Sequence, residues 1–171
     1  MSIADAVVTD LRETVSICSL RVGANSFGID TRQIREVLGT TVPQSVPLSA
    51  EYIAGVVPYR GEVLTTVSFR ALLGLENKTG KNCVLVFEDE QNEEHFGLLV
   101  DSVNGVIAIE SDALQANPSG LDARSMELFD GAYRMQSGLI VRLDPQRLRP
   151  SQLAQSELFG TSKHQIQGEQ R

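Results

Sequence analysis

The sequence predicts a mostly β fold built as small barrels, and three features predict it. Short apolar runs rich in β-branched residues recur along the chain: "TVSICSLRV" from Thr14, "EVLTTVSF" from Glu62, "CVLVF" from Cys83, "FGLLV" from Phe96 and "GLIVRL" from Gly138. Turn residues punctuate them at regular intervals, and no helical pattern is long. Aromatics make up 5% of the 171 residues and Trp is absent, so the core must be mainly aliphatic. A chain of this length forms one compact domain or two small intimate ones.

The elements follow in order. Residues 1–13 read as a polar N-terminal arm. From Thr14 a hairpin runs through the turn "GANS" into "FGI". "DTRQIREVLG" reads as a short helix, with Asp30 as its cap and Gln33 at the capping-box position. Ile34, Val37 and Leu38 would then share one face, and Gly39 would end the helix. Two prolines make "TTVPQSVP" extended, and "SAEYIAG" reads as a single turn closed by Gly55. A strand follows the tight turn at Arg60-Gly61. The helix "FRALL" is capped by Ser68 and stopped by Gly74.

The apolar runs from Cys83 and His95 form a hairpin, and the acidic tip "EDEQNEE" between them is a solvated loop that keeps the turn from associating. "SVNGVIAI" reads as a strand pair bent at Gly105, and residues 110–136 as an irregular excursion. A last strand precedes a helix begun by Asp144 and Pro145. Residues 14–155 are thus expected to form the folded domain, with 156–171 a polar tail without defined structure. No long tandem repeat is visible.

Composition excludes several functions. Net charge is −7, whereas a nucleic-acid-binding barrel shows a basic face. No apolar run approaches the roughly 20 residues of a membrane span, so direct insertion is not expected. The acidic N-terminus lacks the basic start of a secretory signal, which makes the expected location cytoplasmic. Cys18 and Cys83 sit in separate apolar runs and read as reduced, buried thiols.

Catalytic patterns fail on spacing. "GLENKTGKN" lacks the Gly separation, the hydroxyl residue and the preceding strand of a phosphate-binding loop. His95 has no second ligand at metal-binding spacing, and no Gly-x-Ser-x-Gly turn accompanies it. A small-molecule hydrolase with His95 as base is the reading from a different class; a binding module accounts for more of the sequence.

Three segments in order carry a resemblance. They are "FGIDTRQIREVLG", then Gly55-Val56 with Arg60-Gly61, the strand from Glu62 and Ser68-Phe69-Arg70, and then "HFGLLVDSVNGVIAI". Their order and spacing resemble the CheW-like family of chemotaxis coupling proteins, over about Thr14 to Leu153. The resemblance implies two intimate five-stranded SH3-like β-barrels with a few short helices. It implies a non-enzymatic adaptor without cofactor or metal. Such an adaptor joins the cytoplasmic tips of chemoreceptors to the regulatory domain of a CheA-type histidine kinase, at membrane-associated receptor arrays. An accessory coupler of a non-flagellar chemosensory pathway is the alternative within the same class.

The resemblance also assigns partner-facing residues. Glu36 and Arg60 occupy positions that pair near the receptor-facing surface; unrelated surface charges are the plainer reading. Gly55 and Gly61 adopt positive backbone angles in turns and abut the receptor. Ile34, Val84, Val100 and Val103 are apolar contacts, each equally readable as barrel core. Gly131, in "FDGAYRM", marks a further partner-side loop. Arg70 is expected to brace a loop carbonyl or carboxylate. Pro58-Tyr59 departs from the family's Asn-Leu and Ser68 from its Asp, and Tyr59 adds an amphipathic ring beside the turn.

Overall fold

The structure is a computed structural model that describes residues 12–91 and 93–159. The expected arm and tail therefore fall largely outside the described residues. β1 (Thr14–Val22) and β2 (Asn25–Asp30) form the first hairpin, followed by a 3₁₀ turn at Thr31–Gln33 and β3 (Glu36–Leu38). β4 (Ile53–Tyr59), β5 (Glu62–Ser68), α1 (Phe69–Leu72), β6 (Cys83–Asp89) and β7 (Glu94–Val100) complete the middle of the chain. Then come β8 (Ser102–Glu110), β9 (Leu114–Gln115), α2 (Ala123–Leu128), β10 (Phe129–Met135), β11 (Gly138–Leu143) and α3 (Pro150–Gln155).

These strands form two sheets, in the orders β8-β1-β2-β11-β10-β9 and β3-β6-β7-β5-β4. The second has the expected five strands, and the first adds the two-residue β9 at one edge. Each sheet curls into a barrel, because residues from its opposite edges share one apolar cluster. Leu38 of β3 meets Val57, Leu64, Val84 and Val86 inside the second barrel. Ile109 of β8 shares a cluster with Ile17, Tyr133 and Ile140 inside the first, and Leu114 of β9 packs against it.

A third, larger cluster lies between the barrels and includes Phe27, Phe69, Leu85, Phe87, Leu98 and Phe129. β6 thus buries both faces, Val84 and Val86 inward and Leu85 and Phe87 toward the other barrel. That is why its sequence is a continuous apolar run instead of an alternation. Phe159 also packs into this central core, with Arg124 over its ring.

The two barrels share one topology in permuted order. Each is a hairpin laid parallel to a second hairpin, β2 beside β11 and β7 beside β5, with a further strand flanking the first hairpin. The second barrel is a continuous stretch of chain between β2 and β8, so the first closes around the insertion. The correspondence runs without a gap from Ile53 to Leu72 against Phe129 to Leu148. Gly55 matches Gly131, each in a register shift. Ser68 matches Asp144, and each caps the helical turn that follows it. Val37 pairs with Leu85 and Val106 with Cys18 at matching places, and all of Val37, Val106, Val63 and Leu139 are exposed.

Both matched glycines are sterically required. Their φ values are 142° and 156°, in the region L side chains rarely adopt. A Cβ at Gly55 would run into the Gln44 carbonyl, and one at Gly131 would lie 2.7 Å from the Gln115 carbonyl oxygen.

Several local expectations are corrected. The segment from Asp30 to Gly39 is not a helix. Asp30 caps as expected, accepting from the Arg32 N–H, but only one 3₁₀ turn follows and Ile34 is already extended. The Arg35 N–H donates to the Val86 carbonyl at 2.8 Å, so β6 takes the segment as an edge strand. Gly55 lies in a bulge within β4, not at a turn, and "FDGAYRM" is strand β10, not a loop. "SVNGVIAI" belongs to the single strand β8, bulged at Asn104 opposite the Ser19–Leu20 step. The final helix breaks before Pro150, where Arg149 is extended with ψ 135°.

Candidate functional site

In the sheet, β3 and β4 are opposite edges and share no ladder. Their seam is bridged at Gln44–Val56, by an N–H···O bond in each direction. Near Arg60 a side-chain latch spans it. There the β4–β5 hairpin turns in two residues, Arg60 at φ 48° and Gly61 at φ 78°, between the paired Tyr59 and Glu62. Positive φ at both central positions is the turn whose twist matches the strands. Gly61 adopts it without strain; Arg60 does so at a cost.

This turn aims two side chains at Glu36 of β3. The Tyr59 hydroxyl donates to Glu36 Oε2 at 2.8 Å. The Arg60 guanidinium reaches the same oxygen at 3.3 Å, and its Cζ sits 5.2 Å from the Tyr59 ring centroid. The ring packs on the inner core of the barrel. Burial, then the hydrogen bond to Glu36, push the phenol above its ordinary ionisation range. Beside the latch opens a groove of about 560 Å³, whose walls include Tyr59, Arg60, Val63, Thr65, Glu88 and His95.

The other expected site residues disperse. Gly55 lies farther along β4, against Gln44. Val84 lies in the barrel interior and Val100 in the core between the barrels, both essentially inaccessible. Ile34 and Val103 are half-buried against that central core. Gly131 is buried in the first barrel. A contiguous surface is formed by Glu36, Tyr59, Arg60 and Gly61 alone.

Arg70 braces a carboxylate as expected. Its Nε and Nη2 each donate to an oxygen of Asp101 at 2.7 Å, and Nη1 donates to the Glu76 carbonyl. Asp101 also accepts the Gly23 N–H at 2.8 Å. The β1–β2 turn of one barrel is thus tied to α1 and the β7–β8 junction beside the other. The Arg70 guanidinium, then the Gly23 N–H, hold the Asp101 carboxyl below its usual range against desolvation.

Sequence reasoning missed three features: Asp101 itself; Glu94, which binds the Ser151 N–H and hydroxyl at the start of α3; and Val63, exposed beside the latch. Asp101 had a signal, since it ends an apolar run with no solvated turn around it. Among the described residues, no three His, Cys, Asp or Glu side chains gather in a metal-binding group. No helix among them is long and apolar enough to cross a membrane.

Two permuted barrels around a shared core, with a latched seam facing a groove, define a double-barrel module whose distinctive chemistry lies on its surface. The chain belongs to the CheW-like domain family, whose model matches residues 16–152. A chemotaxis protein CheW of Rhizobium meliloti is 25% identical over 138 residues, 80% of this chain and 88% of that protein. A probable chemotaxis protein CheW of Rhizobium etli is 28% identical over 104 residues, 60% of this chain and 66% of the relative, just under two thirds of its length. The crystal structure of the scaffolding protein TtCheW from Thermoanaerobacter tengcongensis superposes with a TM-score of 0.68 at 18% identity, covering 77% of this chain and 90% of that one. It bears out the mostly β double-barrel fold.

Proposed function

We propose that the chain is a non-enzymatic adaptor that couples chemoreceptor tips to the regulatory domain of a CheA-type histidine kinase in chemotaxis signalling, at the cytoplasmic face of receptor arrays. The observation that carries this is membership of the CheW-like family across residues 16–152. Geometry supports it. An adaptor holds two partners at once, and each barrel carries exposed apolar side chains at equivalent positions, Val37 and Val63 on one, Val106 and Leu139 on the other. The Arg60-Gly61 turn supplies a wall of fixed position beside a groove, where a helical tip can lay its apolar anchors.

The reading requires no cofactor. Calorimetry of metal-free protein against a CheA regulatory domain should give saturable binding. Addition of a receptor-tip fragment to chain and kinase together should then stimulate phosphorylation. Absence of binding, or a strict requirement for a metal or nucleotide, overturns it.

A further inference from the structure

Two groups share Glu36 Oε2 across the seam, and they are unequal. The Arg60 contact is 3.3 Å long, between side chains that are 56% and 41% exposed. Such pairs contribute little and weaken with salt. The Tyr59 contact is 2.8 Å long and part-buried, and only one of its partners is charged. Tyr59 is also held better, because its ring rests against the cluster of Val57, Leu64, Val84 and Val86. Arg60 rests on the Tyr59 ring in turn.

We propose that Tyr59 is the positioning residue of this surface. Its hydroxyl holds Glu36 and keeps the seam between β3 and β4 closed, so that Arg60 can leave Glu36 to meet a partner without opening the barrel. In this chain the latch is a phenol–carboxylate hydrogen bond, and the guanidinium stacked above it is free to serve recognition. The role in recognition rests on the adaptor reading; the role in closing the seam does not.

The test compares Tyr59→Phe, which removes only the hydroxyl, with Arg60→Ala. One readout is hydrogen exchange of the Arg35 amide, which donates to Val86 beside Glu36. It is taken at low salt and at roughly 0.5 M salt, where exposed pairs are screened. The other is affinity for two probes, a CheA regulatory domain and a receptor-tip fragment.

Tyr59→Phe should lower Arg35 protection about three- to tenfold, the loss expected of one hydrogen bond. What protection remains should fall further with salt, because only the Arg60 pair is left. Probe affinity should fall with it, and the melting temperature should drop by about 1–6 °C, the same loss read over the whole fold. Arg60→Ala should leave Arg35 protection unchanged and weaken binding alone. If Tyr59→Phe matches wild type in exchange, or if Arg60→Ala lowers Arg35 protection as much, the proposal is overturned. If wild type binds neither probe, the adaptor reading falls, and the exchange data still decide what closes the seam.

Discussion

Replacing Asp101 by Asn keeps the side chain's size and one carbonyl oxygen but removes its charge. In the native structure Asp101 receives two guanidinium bonds of 2.7 Å and the Gly23 N–H at 2.8 Å. An amide serves one of the two guanidinium donors and sets its own NH2 against the other. The loss is one charge-assisted hydrogen bond, about 1.5–3 kcal/mol, plus part of the compensation of Arg70. Arg70 keeps its bond to the Glu76 carbonyl and is 22% exposed, so water recovers some of that second loss. The sum is about 2–4 kcal/mol, at or below the full cost of breaking a wholly buried pair. For a chain of this size it corresponds to roughly 4–16 °C in melting temperature.

Urea denaturation of wild type and Asp101→Asn, repeated from neutral pH into acid, measures the effect. The native carboxyl titrates below its unfolded value, so its stabilisation is fully present above the ordinary aspartate range. It is lost as pH falls through the depressed native value. The gap between the two proteins should therefore close in acid. A gap under about 0.5 kcal/mol at neutral pH would mean that the contact behaves as a surface ion pair. A gap that persists undiminished in acid would show that the charge is not its source.

Three further outcomes are expected. Arg60→Glu should weaken receptor coupling while changing stability by no more than about 1 kcal/mol, the scale of an exposed pair. Glu36→Arg in the same chain should not restore the coupling, because an arginine offers the Tyr59 hydroxyl no acceptor; receptor-dependent kinase stimulation across the double-mutant cycle measures it. Gly55→Ala should destabilise by about 2 kcal/mol or more in chemical denaturation, because its Cβ meets the Gln44 backbone and its φ is unfavourable to L residues; an unchanged midpoint would refute the bulge argument. Ser68→Ala should cost about 1 kcal/mol by removing the cap accepted from the Ala71 N–H, and Ser68→Asp should not.

Much of the fold was legible because its elements obey local rules. Ser68 is a helix cap in sequence and in space, and Gly74 ends the same helix at φ 71°, with the Leu75 N–H returning to the Arg70 carbonyl. The Arg60-Gly61 turn was equally readable. The segment 30–39 misled because Ile34, Val37 and Leu38 fit helical spacing over too few residues to decide. An available edge on β6 and two β-branched side chains favoured a strand, a tertiary cause that no local window contains.

The candidate site was half legible for a similar reason. Glu36, Tyr59, Arg60 and Gly61 lie close in sequence to one hairpin or its seam partner, and the structure gathers them. Val84 and Val100 were open between core and surface in the sequence, because an apolar strand does not reveal whether its second face is covered. Here the other barrel covers it. The internal repeat was invisible for a different reason. It keeps little beyond Gly55/Gly131, Leu72/Leu148, the capping pair Ser68/Asp144 and a pattern of burial, and permutation separates the matching hairpins.

That repeat explains where the chain can vary. The matched positions are those a curled sheet demands: a glycine where another backbone crosses close by, a cap where the last strand ends, and a leucine under the helical turn. Where Tyr59 and Arg60 stand in one barrel, Met135 and Gln136 stand in the other. Met135 packs against its barrel's inner cluster as Tyr59 does, but it brings no hydroxyl to the seam. The charged latch is therefore not a requirement of the architecture, since the first barrel closes without its counterpart. A feature that one of two like barrels carries and the other omits is particular to that barrel's own seam and surface, which is why Tyr59 is tested by seam exchange as well as by recognition, Arg60 and Glu36 by recognition, and the shared architecture at Gly55, Ser68 and Asp101.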